Sequence, residues 1–105
     1  MSGRTAFLRS KLEEDPDNLL HLFSLGKNLL EEENYTEAES WLRRCTELRA
    51  DWMVARILLG RCLAEEGKAG EAKDFLREAV RLAREQGHDG PEAECLALLE
   101  ELEEP

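Results

Sequence analysis

The sequence predicts an all-α fold built by stacking one helix-turn-helix unit, and three observations carry that expectation. The first is a signature, aromatic-Leu-Arg, that recurs at one constant interval: Phe7-Leu8-Arg9, Trp41-Leu42-Arg43 and Phe75-Leu76-Arg77. A fixed period of this length marks a repeated supersecondary unit that buries its apolar face only by stacking on its neighbours. The second is composition. Ala, Leu, Glu and Arg, all good helix formers, dominate the two central periods, and Pro is confined to Pro16, Pro91 and Pro105. The third is apolar spacing at i, i+3, i+4 and i+7, in Ala38, Trp41, Leu42 and Cys45 and again in Ala72, Phe75, Leu76 and Ala79, which gives each of two helices one buried stripe.

The elements follow in order along a single domain, residues 1–105. Residues 5–14 form a lone leading helix, because Phe7-Leu8-Arg9 matches only the second half of a unit. Residues 17–50 and 51–84 are two full repeats, which a shift of one period superposes: Leu25-Gly26 falls on Leu59-Gly60, Leu29 on Leu63, and Glu37-Ala38 on Glu71-Ala72. Each opens with a helix, near Asn18–Glu33 and Trp52–Glu66, and turns at Glu33-Asn34-Tyr35 or Gly67-Lys68-Ala69-Gly70 into a second. Gly87 to Pro91 is a break, with Gly stopping one helix and Pro suited to the first turn of the next. Residues 91–104 are a terminal capping helix with Cys95, Leu98 or Leu99, and Leu102 on one face. Gly26 and Gly60, mid-helix, each cost about 0.5–1 kcal/mol against Ala, and close approach of the partner helix is the expected compensation.

Charge narrows the function classes. The net charge of −10 argues against nucleic acid phosphates and anionic membrane surfaces. From Asp89 onward the chain has seven carboxylates and no Lys or Arg, so removing those charges leaves only −3 for the rest. Three cysteines, Cys45, Cys62 and Cys95, show neither C-x-x-C pairing nor a nearby His at zinc spacing, and read as small buried apolar residues. No apolar run reaches membrane-span length and no signal-peptide stretch opens the chain, so the expected location is cytoplasmic. His21 and His88 stand apart, no phosphate loop, G-x-S-x-G or H-E-x-x-H occurs, and Glu31-Glu32-Glu33 and Glu65-Glu66 read as solvated helix ends whose pKa nothing nearby would raise. The expectation is no enzyme, no cofactor and no metal.

The repeat resembles the tetratricopeptide repeat, a helix-turn-helix unit of about 34 residues. Leu25-Gly26 and Leu59-Gly60 stand at its Leu-Gly pair, Ala38 and Ala72 at the small residue opening its second helix, and Cys45 and Ala79 at the next small position. Tyr35 matches the aromatic of its inter-helix turn, while Ala50 and Arg84 replace the repeat-ending Pro found here only as Pro16. The resemblance implies a right-handed superhelical stack of antiparallel helix pairs, about six helices in all.

The first helices carry a second stripe, Leu20, Phe23, Lys27 and Leu30, roughly 120° from Leu22, Leu25, Gly26 and Leu29 on the helix period. Its counterparts one period on are Val54, Ile57, Arg61 and Ala64. By resemblance this stripe is the concave ligand surface, here apolar with two cations, and it suits a protein or peptide partner bearing apolar and acidic side chains. The chaperone-tail clamp of the family is absent: Phe23 and Lys27 replace its Lys and Asn, Leu58 its next Asn, and Glu92 and Glu94 stand in the third helix. The expected function is a protein interaction module that binds a partner peptide or helix in the groove. The alternative is a self-associating protein, homodimer or array, whose groove is filled by the acidic C-terminal helix.

Overall fold

A computed structural model describes residues 3–103. Among them are six helices and no strand: α1 (Gly3–Glu14), α2 (Leu19–Glu31), α3 (Tyr35–Leu48), α4 (Met53–Glu65), α5 (Ala69–Gln86) and α6 (Asp89–Glu103). The leading and terminal helices each begin slightly earlier than the sequence suggested, at Gly3 and Asp89, and Glu104 lies outside the described residues.

The chain stops and restarts its helices with local chemistry. The Asn18 side chain accepts the His21 N–H at 3.0 Å and caps α2. At the far ends of α2, α4 and α5 the backbone turns left-handed at Glu33, Gly67 and Gly87, and the next N–H closes back onto a carbonyl of the helix: Asn34 on Leu29, Lys68 on Leu63, His88 on Ala83, each at 2.9 Å. Glu33 and Gly67 are equivalent positions, so the first repeat makes with a glutamate, at φ 63°, the turn that the second makes with glycine at φ 80°.

Consecutive helices pack on one another throughout, α2 with α3 and α4 with α5 as the repeat pairs. The predicted inner stripe is the core: Leu22, Leu25, Leu29, Leu42, Leu59, Leu63 and Leu76 are fully buried, as are all three cysteines, which are free. A Cβ placed on Gly26 would stand 2.8 Å from Leu42 Cγ and Cδ2, and one on Gly60 would stand 2.8 Å from the same atoms of Leu76. Both distances are inside van der Waals contact, so each glycine exists to let the Leu of its partner helix lie against bare backbone.

The stack curves. α2 touches α4 and α4 touches α6, whereas α1, α3 and α5 make no such backbone approach to each other. The first helices therefore line the inner side, and the second helices splay on the outer side. Long side chains bridge that outer gap: Arg9 of the first signature pairs with Glu37, from α1 to α3, and Arg43 of the second reaches Glu71 at 2.5 Å, from α3 to α5, while Arg77 of the third reaches Glu103 of the adjoining α6 at 3.2 Å. The signature thus has a division of labour, its Leu buried in each repeat and its Arg tying one repeat to the next.

Candidate functional site

Stacking of α2, α4 and α6 brings the expected groove residues to one side of the molecule, but with unequal exposure. Leu20 is 68% exposed and Val54 42%, and Lys27 and Arg61 face solvent. Phe23, Leu30 and Ala64 are half-buried. Ile57 is only 5% exposed, because it packs in the cluster that holds Met53, Val80 and Leu99. It supports the surface from beneath.

Phe23 is engaged within the chain. Its ring stacks on Trp52 at 4.8 Å between centroids and 27° between planes, and the Arg49 guanidinium lies over Trp52, 5.8 Å from the ring centroid. Trp52 occupies the residue just before α4, so the stack joins the start of the second repeat to the first helix of the first repeat. A contact of this kind is worth about 0.5–1.5 kcal/mol beyond its area.

Between α2 and α4 runs a cleft lined by Lys27, Leu30, Glu31, Leu58, Arg61 and Glu65. Leu58, Glu31 and Glu65 are additions to the expected set. Leu58 was readable from the helical period, since it lies on the same face as Val54, one turn before it, and Arg61, one turn after it. The neighbouring cleft between α4 and α6 holds Arg61, Ala64, Glu65, Leu98, Glu101 and Leu102. Arg61 donates to Glu94 of α6 at 3.3 Å, while Lys27 has no ion pair among the described residues. The surface is therefore apolar with interspersed charges of both signs. α6 borders this surface beside α4 and α5 and does not reach α2, so Leu20, Phe23 and Lys27 stay uncovered by it.

The titratable groups that the fold perturbs belong to the scaffold. Glu39 accepts from Lys68 at 2.8 Å and from Arg43 at 2.7 Å, and these bonds, Lys68 first, hold its carboxyl at about 2. Glu66 corrects the reading of Glu65-Glu66 as a plain solvated end. Its side chain is 12% exposed, and burial, followed by the hydrogen bond it shares with Glu39, pushes its carboxyl above the usual range. Burial likewise drives the thiols up, Cys62 to about 12 and Cys45 and Cys95 to about 11, which leaves them protonated and poorly nucleophilic. Among the described residues no group of three His, Cys, Asp or Glu gathers around one point as metal ligands would. No helix there is long and apolar enough to cross a membrane.

Comparison with known proteins places this architecture. A family model, Tetratricopeptide repeat, matches residues 22–51 and 55–86. The chain is 33% identical over 70 residues to Protein O-mannosyl-transferase Tmtc3 of Drosophila melanogaster, covering 67% of this chain and 8% of that much longer protein. Among solved structures, protein BPP2914 from Bordetella parapertussis is similar with a TM-score of 0.83 at 27% identity, over 97% of this chain and 89% of that one. PcrH, solved in complex with the chaperone binding region of PopD, shares the fold with a TM-score of 0.86 at 17% identity, over 93% of this chain and 74% of that one. With the period, the Leu-Gly pairs and the stacked helix pairs in hand, this chain belongs to the tetratricopeptide repeat family.

Proposed function

We propose that this protein is a cytoplasmic, non-catalytic interaction module that holds a helix or extended peptide of another protein in the groove of α2 and α4, with no cofactor. The observation that carries the reading is the row of solvent-facing apolar side chains on that side, Leu20 and Val54 flanked by half-buried Phe23, Leu30 and Leu58, on a molecule whose core is already filled by other residues. Leu20 and Val54 hold equivalent positions on the two adjacent first helices, and apolar groups exposed side by side in this way mark a docking surface, whereas Phe7, Leu48 and Leu96 are exposed singly on other helices. PcrH, of the same fold, is a precedent for holding a segment of another protein.

The charges refine the partner. Arg61 is engaged by Glu94, so Lys27 is the cation left for a partner carboxylate, and Glu31 and Glu65 favour a partner that also brings a Lys or Arg. Leucine-like side chains spaced to meet Leu20, Phe23 and Val54 supply the affinity.

Affinity capture from the source organism tests this with three proteins: the native chain, a Leu20→Glu/Val54→Glu variant, and a Leu48→Glu variant altered on α3. Leu20 and Val54 serve better than Phe23 because they touch little within the chain. The expected result is a partner captured by the native and Leu48→Glu proteins and lost from the double variant. Equal capture by all three would overturn the groove reading.

A further inference from the structure

Among the described residues α1 and α6 each stand as half of a repeat. α1 is a second-type helix with no first-type helix packed on it from its own repeat, and α6 is a first-type helix with no second-type helix following it, among the described residues. The two open faces can be read from the repeat register. Cys95 and Leu99 are buried with the same spacing as Leu59 and Leu63 of the preceding first-type helix, so Leu96 takes the place of Gly60, the residue that meets the second helix in a complete repeat. Leu96 is 43% exposed. On α1, Arg4, Phe7 and Lys11 stand one period before Ala38, Trp41 and Cys45, and Phe7 is 56% exposed.

These faces are complementary. Around Leu96 lie Asp89, Glu92, Glu100 and Glu103 at helical spacing, and around Phe7 and Leu8 lie Arg4 and Lys11. Arg84 holds Glu92 at 2.7 Å and Arg77 holds Glu103 at 3.2 Å within the chain. Asp89, Glu100 and Arg4 have no ion pair among the described residues, and Lys11 has only a loose one, 4.0 Å from Glu14.

We propose that a second copy of this chain docks head to tail, its α1 laid antiparallel on α6 of the first, so that half-repeats from two molecules make one composite repeat. With exposed Phe7 opposite exposed Leu96, Arg4 falls beside Glu100 and Lys11 beside Glu92: the cations lie one turn before and one turn after Phe7, and the carboxylates flank Leu96 in the same way. Leu96 in the glycine position holds the two helices farther apart than α4 and α5, which leaves room for Phe7, Arg4 and Lys11. The contact joins different faces and extends the superhelical stack, so copies add in a line rather than pairing as a two-fold dimer. A net charge of −10 on every copy opposes growth and keeps the association weak.

Sedimentation equilibrium of the full chain, up to about 1 mM to reach weak association, tests the proposal with Phe7→Glu and Leu96→Glu, both at exposed positions. The native protein is expected to gain average mass with concentration without a plateau. Each variant alone, with one end blocked, is expected to stay monomeric, and an equimolar mixture to reach the mass of two chains and stop. Arg4→Glu is expected to weaken association at least tenfold and Arg4→Glu with Glu100→Arg to restore it. A concentration-independent native mass, association untouched by either blocked end, or no dimer in the mixture would overturn the proposal. Phe23→Glu, altered in the groove, is expected to associate like the native protein, which separates this contact from the groove.

Discussion

Replacing Gly60 with Ala puts two effects in opposition. Alanine favours the middle of a helix by about 1 kcal/mol over glycine. Here the new Cβ would sit 2.8 Å from both Cγ and Cδ2 of Leu76, a side chain with no exposure. Overpacking of this kind costs about 1–3 kcal/mol, so the net expectation is a loss of about 0–2 kcal/mol, and more for Gly60→Leu. Leu76→Ala alone leaves a cavity and costs about 2–5 kcal/mol. In that background the obstacle is gone, and Gly60→Ala turns stabilising by about 1 kcal/mol. Urea unfolding of the native protein, the two single variants and the double variant measures the coupling, expected at about 1–3 kcal/mol. If Gly60→Ala raises the midpoint equally in both backgrounds, the glycine is not there for close packing.

Glu33→Gly relieves a left-handed residue that its counterpart Gly67 shows to be glycine's place, and should stabilise by about 1 kcal/mol in urea unfolding, while Gly67→Ala should lose a comparable amount. The three thiols should be silent to an aromatic disulfide reagent in the native protein and all react in denaturant; prompt native reaction at any one would contradict their burial. Acid should weaken the fold through Glu37, held low chiefly by Arg9, and Glu39, held at about 2 chiefly by Lys68. Because these carboxyls titrate below their unfolded value of 4.5, their contribution is full above that pH and is lost as pH falls below it, for Glu39 toward about 2. Glu66 works the other way, its raised carboxyl favouring the fold at low pH, so in acid-unfolding curves Glu39→Gln should flatten the acid limb and Glu66→Gln should not.

The period made the fold legible. Any unit that repeats Leu-Gly and aromatic-Leu-Arg at one interval must present the same faces at each step, so Leu22, Leu25, Leu59, Leu63 and Leu76 fell into the core as their spacing required. The candidate site was less legible, because a helical wheel gives a direction from the axis and not what lies in that direction. Phe23 and Ile57 share a wheel position, yet one stacks on Trp52 at the surface and the other is covered by α5 and α6 residues. Leu58 shows the reverse, a position that the period offered and that lines the cleft. The role of the signature Arg depended on the outer gap between second helices, a property of the curved stack. Glu66 depended on Glu39, which belongs to the preceding repeat and whose carboxylate it meets only after folding.

The central claim is that the inner face of α2 and α4 holds another protein, and amide chemical-shift mapping with the captured partner's binding segment tests it most directly. Shifts are expected at Leu20, Phe23, Lys27, Val54, Leu58 and Arg61, with α3 and the outer face of α5 unmoved. Shifts concentrated on Trp41, Arg44 and the outer helices, with Leu20 and Val54 unchanged, would contradict it.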